Sequence, residues 1–296
     1  MFSIIKPKRL CLSGGGIRTI SYIGSLQVLE TNGLLEEIEE FLGVSAGAFV
    51  AFLLVIGYSL TELEKIMCSI DFGEIRSIDN PANFLFYADN FGLDDGAGLI
   101  TLIESLLKKK GLPIDLTFSA LSPKKRLRIY ATDLNELKKR EFSAKLTPNV
   151  RIIDALRASM ALPLYFTPIK DPITGNLLAD GGLIGNYPII HLNSFESHDT
   201  IGLTFDDHRN NYSEISSLMI YFHQIMSCYW VNKNNAIYSR YAKNTIIIPC
   251  ASFPPLHFEL TEKEKKFLYD SGANAAKQYL EMLKGPQKPF RRRSVS

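Results

Sequence analysis

Apolar positions along this chain alternate between short, continuous runs and longer helical spacings. Lys8 to Leu12 reads as a buried strand, and Ile17 to Glu30 as a helix that Thr31-Asn32-Gly33 stops. Ile38 to Leu42 reads as a second strand, leading through Gly43-Val44-Ser45-Ala46-Gly47 into an apolar helix near residues 46 to 57. Thr61 to Ile70 carries apolar residues at 63, 66, 67 and 70, a helical face. Ala97 to Lys110 reads as a further helix, with Asp94 and Asp95 beside its start and one of them as its N-cap. In Arg126 to Asp133, Leu127, Ile129 and Ala131 alternate as in a strand, and Arg140 to Ala144 is placed to return as a hairpin around Asn135-Glu136. Then come a helix over Ile152 to Ala161 stopped by Pro163, a strand ending at Asp180, and a strand from Thr200 to Thr204. Ser213 to Tyr229 reads as a helix, Asn244 to Ile248 as a strand, and Leu260 to Leu283 as a helix capped by Thr261 with Glu264 at capping-box spacing. Strands alternating with helices in this way predict an α/β fold with three layers, α/β/α, and a mostly parallel central sheet with helices on both faces.

The chain has 296 residues, enough for one large domain with a substantial core. No internal repeat or linker divides it, so residues 1–287 read as one domain and 288–296 as a basic tail. The tail is either a frayed end or an electrostatic aid to membrane attraction. With 46% hydrophobic and 22% charged residues, composition is that of an ordinary globular protein. A net charge of +2 gives no reason to expect nucleic acid as a partner. Four scattered cysteines, without C-x-x-C spacing, read as thiols in a reducing compartment. No charged n-region precedes an apolar h-region at the start, so the expected location is cytoplasmic. The uncharged run from Phe41 to Tyr58 is broken by Gly43, Ser45 and Gly47, and what remains has the length of a buried core helix, not of a membrane span.

Three motifs carry chemistry. Gly43-Val44-Ser45-Ala46-Gly47 is a G-x-S-x-G sequence, in which small residues on either side let the backbone turn sharply from strand to helix and push a serine outward. Ser13-Gly14-Gly15-Gly16-Ile17-Arg18 offers backbone N–H groups at a helix start, a site for an anion. A dinucleotide loop needs a glycine where Thr19 stands, and no Gly-Lys-Ser/Thr ends a Walker loop, so the glycines read as an oxyanion hole built from Gly14, Gly15 and Gly16. Ala179-Asp180-Gly181-Gly182 places an aspartate at a strand end in close backbone quarters, although Asp-Gly is also a common turn. The segment 83–91, with Phe84, Phe86, Tyr87 and Phe91, is either a lid or acyl-chain site or an ordinary covering loop whose aromatics fill the core edge. Asp94-Asp95 lacks the spacing of an EF-hand, and nothing in the sequence asks for a metal or a cofactor.

In this order the three motifs resemble the patatin-like phospholipase family. Arg157-Ala158-Ser159-Met160-Ala161-Leu162-Pro163 is similar to its A-S-x-A-x-P segment, and Tyr130-Ala131-Thr132-Asp133 to its A-T-D strand. The likeness spans about residues 8 to 190. It implies a lipid acyl hydrolase with Ser45 as nucleophile and Asp180 as the partner that takes its proton, without a catalytic histidine. The elbow glycines Gly43 and Gly47 and the glycines after the aspartate, Gly181 and Gly182, follow with it. Arg18 either braces the glycine loop, contacts lipid phosphate or sits on the surface of the first helix turn. The expected substrate is a phospholipid or other acyl lipid, met through peripheral membrane contact, and the oligomeric state is not legible. Acyl transfer to an alcohol and a silent lipid-binding role are the alternatives. Five histidines all follow Asp180 in the chain, so an order of Ser45, Asp180 and then, for example, His257 remains open.

Overall fold

The computed structural model describes residues 6–70, 87–206, 215, 221, 224–228, 237–250, 253 and 260–284. The central strands are β1 (Arg9–Leu12), β2 (Glu40–Val44), β3 (Arg126–Asp133), β4 (Lys138–Ser143), β5 (Ile169–Lys170), β6 (Leu177–Asp180), β7 (Thr200–Phe205) and β8 (Thr245–Ile248). They form one mixed, largely parallel sheet in the order β8-β7-β1-β2-β3-β6-β5, with β4 beside β3. The first four pairings of that path are parallel; β4 and β6 run antiparallel to β3, and β5 antiparallel to β6. Apolar runs that are buried on both faces are what such a central sheet demands.

The two faces are read directly from the strands. Leu10, Leu12, Phe41, Ile129 and Ala131 point into the larger core, and Cys11, Leu42, Val44 and Tyr130 into a smaller one. The larger core is covered by the helices α1 (Ile20–Thr31), α2 (Ala46–Val55), α3 (Leu60–Ser69), α4 (Ala97–Lys109), α5 (Ile152–Ser159) and α6 (Glu262–Lys284). The other face is covered by Tyr187, Ile189, Leu192 and Tyr241, which belong to short helical turns and their flanks. In α2 most side chains are buried, the Phe52 and Leu53 side chains completely. The uncharged run is therefore a core helix, and no helix among the described residues is long and apolar enough to cross a membrane.

Several boundaries differ from the sequence reading. The first helix opens with a tight 3-10 turn, Gly16–Thr19, and turns α-helical only at Ile20. Gly16 adopts φ +54°, and Thr19 Oγ1 donates to its carbonyl, which tightens that turn. The helix α3 begins one residue early because Ser59 and Glu62 form a capping box. For α4 the cap position belongs to Gly96, in the left-handed region; Asp95 accepts from Ala97 N–H at 2.8 Å and Asp94 from Gly96 N–H at 2.6 Å. The Thr261–Glu264 capping box forms as expected. The expected helix over Ser213–Tyr229 lies largely outside the described residues, as do residues 83–86 of the aromatic segment and the basic tail.

Candidate active site

The path of β3 brings the candidate residues together. Its first half, Arg126 to Tyr130, pairs with β2, and its last three residues pair with β6. Since β4 occupies the other edge of β3 through residues 128–133, β2 and β6 share one edge and run toward each other along it. Their C-terminal ends meet where Val44 pairs with Tyr130 and Asp180 with Ala131. Ser45 follows the first of these ends, and Asp180 is the second.

Ser45 has φ +53° and ψ −132°, a conformation costly for a residue with a side chain, on the order of 1–3 kcal/mol. Close packing enforces it. A methyl at Gly43 would stand 2.3 Å from Ala48 Cα, and one at Gly47 2.4 Å from the Ser13 carbonyl. The turn thus fits only glycine at both positions, and the start of α2 lies directly beyond the serine, with its positive end toward it. The backbone N–H of Ser45 donates to Ser159 Oγ at 2.9 Å, and that hydroxyl donates to the Tyr130 carbonyl at 2.6 Å.

Asp180 is buried, 5% exposed. Its carboxylate accepts from Gly182 N–H at 2.8 Å and lies beside the Ser45 hydroxyl, which pulls its pKa down. Burial pushes its pKa up to about 6, against the lowering pull of Gly182 N–H and the Ser45 hydroxyl. The backbone is held on three sides: Asp180 N–H donates to the Ala161 carbonyl at 2.8 Å, Gly181 N–H to the Ser159 carbonyl at 3.3 Å, and Thr132 Oγ1 to the Asp180 carbonyl at 2.9 Å. Gly181 passes so close to Tyr130 that a methyl would lie 2.3 Å from its carbonyl oxygen.

The glycine loop lies against the serine: a methyl built on Gly14 would stand 3.1 Å from Ser45 Cβ. Here the expectation needs correction in one member. Gly14 N–H donates to the Asn186 carbonyl at 3.1 Å, while Asn186 Nδ2 donates back to the Gly14 carbonyl at 3.0 Å. Gly14 is thereby an anchor of the loop and not one of its open donors. Gly15 and Gly16 donate no hydrogen bond from their N–H groups among the described residues, nor does Ala46 at the start of α2. Arg18 is 2% exposed, which excludes the surface reading. Its Nε donates to the Gly15 carbonyl at 3.4 Å and its guanidinium lies 4.7 Å from the centre of the Phe205 ring, so it contacts the glycine loop. Tyr22 stacks on the same ring and donates its hydroxyl to the Ser13 carbonyl.

Among the described residues no histidine joins this group. His191 packs against Tyr130 and is held down to a pKa of about 4 by burial, and His198 is exposed beside Asp199. Neither is bonded to Ser45 or Asp180; His208, His223 and His257 lie outside the described residues. Ser159 and Asn186 are the contributors that motif reading did not single out. Ser159 stood inside a recognised segment, without a role.

The family model for patatin-like phospholipase matches residues 10–192. This chain belongs to the patatin-like phospholipase family. An uncharacterised protein of Acanthamoeba polyphaga mimivirus, R571, is 30% identical over 92% of this patatin-like chain and 93% of its own. The protein named Probable lipid hydrolase 463L, from Invertebrate iridescent virus 6, is 30% identical over 62% of this chain and 64% of its own. Among solved structures, VipD of Legionella pneumophila superposes with a TM-score of 0.63 at 18% identity, covering 93% of this chain and 67% of that one. The type III effector ExoU gives a TM-score of 0.55 at 16% identity over 94% of this chain, which spans only 53% of ExoU. At such identities the two structures speak for the fold, a patatin-like α/β sheet flanked by helices.

Proposed function

We propose that this member of the family hydrolyses fatty acyl esters of lipids through an acyl-serine intermediate, with Ser45 as nucleophile and Asp180 as its proton acceptor. The observation that carries the reading is the meeting of two strand ends that sets the Ser45 hydroxyl beside a buried carboxylate whose pKa is pushed up to about 6. A carboxylate that retains its proton affinity near neutral pH is a better base toward serine than a solvated one. Asp180 takes the hydroxyl proton as Ser45 Oγ attacks the ester carbonyl, then gives it to the departing alcohol. Water, deprotonated by the same carboxylate, cleaves the acyl-serine and releases the fatty acid.

The charge that builds on the carbonyl oxygen is met by N–H groups of Gly15, Gly16 and Ala46, which stand at two helix starts on either side of Ser45. Each such donor is worth on the order of 3 kcal/mol in comparable sites. Ser45, Ala46 and Gly16 are half-exposed, while Asp180 is enclosed, so an ester reaches the nucleophile without wetting its base. Phospholipid as substrate rests on the family and on the lipid hydrolase among its relatives.

Mixed phospholipid vesicles incubated with purified wild type, Ser45→Ala and Asp180→Ala test the reading, with free fatty acid measured by mass spectrometry. Release by wild type and background levels from both variants is the expected result. Wild-type release from either variant overturns the assignment. Product formed only when an alcohol acceptor is added reassigns the same acyl-enzyme to transfer.

A further inference from the structure

Ser159 sits at the end of α5, far from both Ser45 and Asp180 in the chain, and is wholly enclosed. Its side chain is the partner of the Ser45 N–H, and its own proton is spent on the Tyr130 carbonyl. Its carbonyl receives Gly181 N–H, and the carbonyl of Ala161, two residues on, receives Asp180 N–H. One short stretch, 159–161, therefore grips the backbone of the nucleophile and of its base together. Tyr130, which accepts from Ser159, is the β3 residue paired with Val44 just before the elbow.

The grip on Ser45 has a specific consequence. Ser45 is strained, and at the head of a helix its N–H has no partner within α2. Without an acceptor from elsewhere the N–H is a half-buried orphan, and the peptide before Ser45 is free to relax toward an ordinary φ. Such a rotation carries Oγ away from Asp180 and tilts the Ala46 N–H with it.

We infer that Ser159 is a positioning residue for acyl transfer: its Oγ locks the peptide of Ser45 so that the hydroxyl is held on the Asp180 carboxylate and the start of α2 is held at the reacting carbonyl. This rests on the reading of Ser45 and Asp180 as nucleophile and base. Ser159 does not touch the reacting atoms; it acts through the Ser45 backbone.

The test compares Ser159→Ala and Ser159→Cys with wild type on a soluble fatty acyl ester, following kcat, KM and the pH profile, with thermal melts to measure folding. A misplacement of about 1 Å at a reacting group costs on the order of 10²-fold in rate, so kcat of Ser159→Ala is expected to fall about that much while KM stays within about twofold. The acid limb of kcat/KM is the second readout. Among the described residues, the groups acting on the Asp180 carboxylate are the Ser45 hydroxyl and Gly182 N–H, both of which help hold its pKa down, with no charged side chain among them. Moving the Ser45 hydroxyl away from the carboxylate therefore moves the limb upward from about pH 6. A defect in folding alone lowers the amplitude and leaves the limb in place.

Ser159→Cys keeps a weak acceptor and fills the same space, so its loss is expected to be smaller and in the same direction. Should Ser159→Ala not fold, Ser159→Cys carries the test by the same two readouts. A kcat within threefold of wild type with the limb unmoved overturns the inference, as does a loss that follows only the folded fraction. Ser45→Ala and Asp180→Ala in the same assay separate the two layers. If both are inert and the Ser159 variants behave as wild type, only the positioning role falls; if either stays fully active, the nucleophile and base assignment falls and takes this inference with it.

Discussion

Replacing Asp180 by asparagine tests the burial of the proposed base independently of any substrate. An ordinary aspartate has a pKa of 3.8, and here enclosure lifts it to about 6. A gap of roughly two units corresponds to about 3 kcal/mol. The sign follows from which form the fold prefers. A folded-state pKa above the unfolded one means that the native protein favours the protonated carboxyl, so the contribution is full below about pH 4 and is lost as pH rises through 6. At pH 8 the ionised side chain therefore works against the fold. The substituted amide is neutral at every pH, and its oxygen can still accept from Gly182 N–H, as the carboxylate does. About 1 kcal/mol is set against the gain for poorer hydrogen bonding. The net expectation is about 2 kcal/mol of extra stability at pH 8, several degrees in Tm for a chain of this size, crossing zero as pH falls and ending about 1 kcal/mol below wild type near pH 4. Calorimetric melts of wild type and Asp180→Asn across that range measure it, and fatty acid release is lost in the same variant. A Tm difference that does not change with pH, or a variant that melts below wild type at pH 8, refutes the reasoning.

Three further outcomes are expected. Gly272→Ala is expected to destabilise by about 2–3 kcal/mol as an overpacked contact, because a methyl there would lie 1.8 Å from the Ser21 carbonyl where α6 crosses α1; denaturant titration at constant slope reads it. Asn186→Ala removes the amide that holds the Gly14 carbonyl while leaving the backbone bond, and is expected to lower kcat roughly tenfold by loosening the oxyanion donors, a fraction of the 10²–10³ that losing one donor outright costs; unchanged kcat on a soluble ester argues against a role for that anchor. Phe91 is 60% exposed at φ +55°, which removes it from the core edge where one reading of the aromatic segment placed it. Phe91→Ser is expected to weaken binding to phospholipid vesicles in a flotation assay and to leave soluble-ester turnover unchanged; equal flotation of the two proteins counts against a membrane-facing role.

The parts of the site that could be read from the sequence are those whose constraint is local. Gly43 and Gly47 are required by atoms within the same turn or in the loop it packs against, so the elbow leaves its mark in five consecutive residues. The Thr261–Glu264 cap is of the same kind. The Ser59–Glu62 cap is equally local, yet the reading that began the helix at Thr61 passed over it, and it sets the start of α3. Asp180 is different: nothing within Ala179 to Gly182 distinguishes a base from a turn, and it was singled out through family resemblance. Ser159 and Asn186 were not legible at all. Their partners, Ser45 and Gly14, lie in distant segments, and a serine at a helix end or an asparagine after a helical turn has many ordinary reasons to be there.

Strand direction is the missing quantity that explains this. Alternation in Arg126 to Asp133 shows a strand but not which neighbours it takes, and the expected sheet was mostly parallel. The site depends on the departure: β6 runs against β3 while β2 runs with it, on one shared edge, so that two C-terminal ends face each other. In an all-parallel arrangement on that edge, Asp180 would have to come from a strand lying one position further away, about 4.8 Å more distant. The register is held just as tightly. Tyr130 and Ala131 point to opposite faces of the sheet, and Asp180 pairs with Ala131. A slip of one residue in β6 would turn the carboxylate to the opposite face and leave Ser45 without its base. The hydrogen bonds from Thr132, and to Ser159 and Ala161, all fall on Asp180 and Gly181, the residues where such a slip would do the damage.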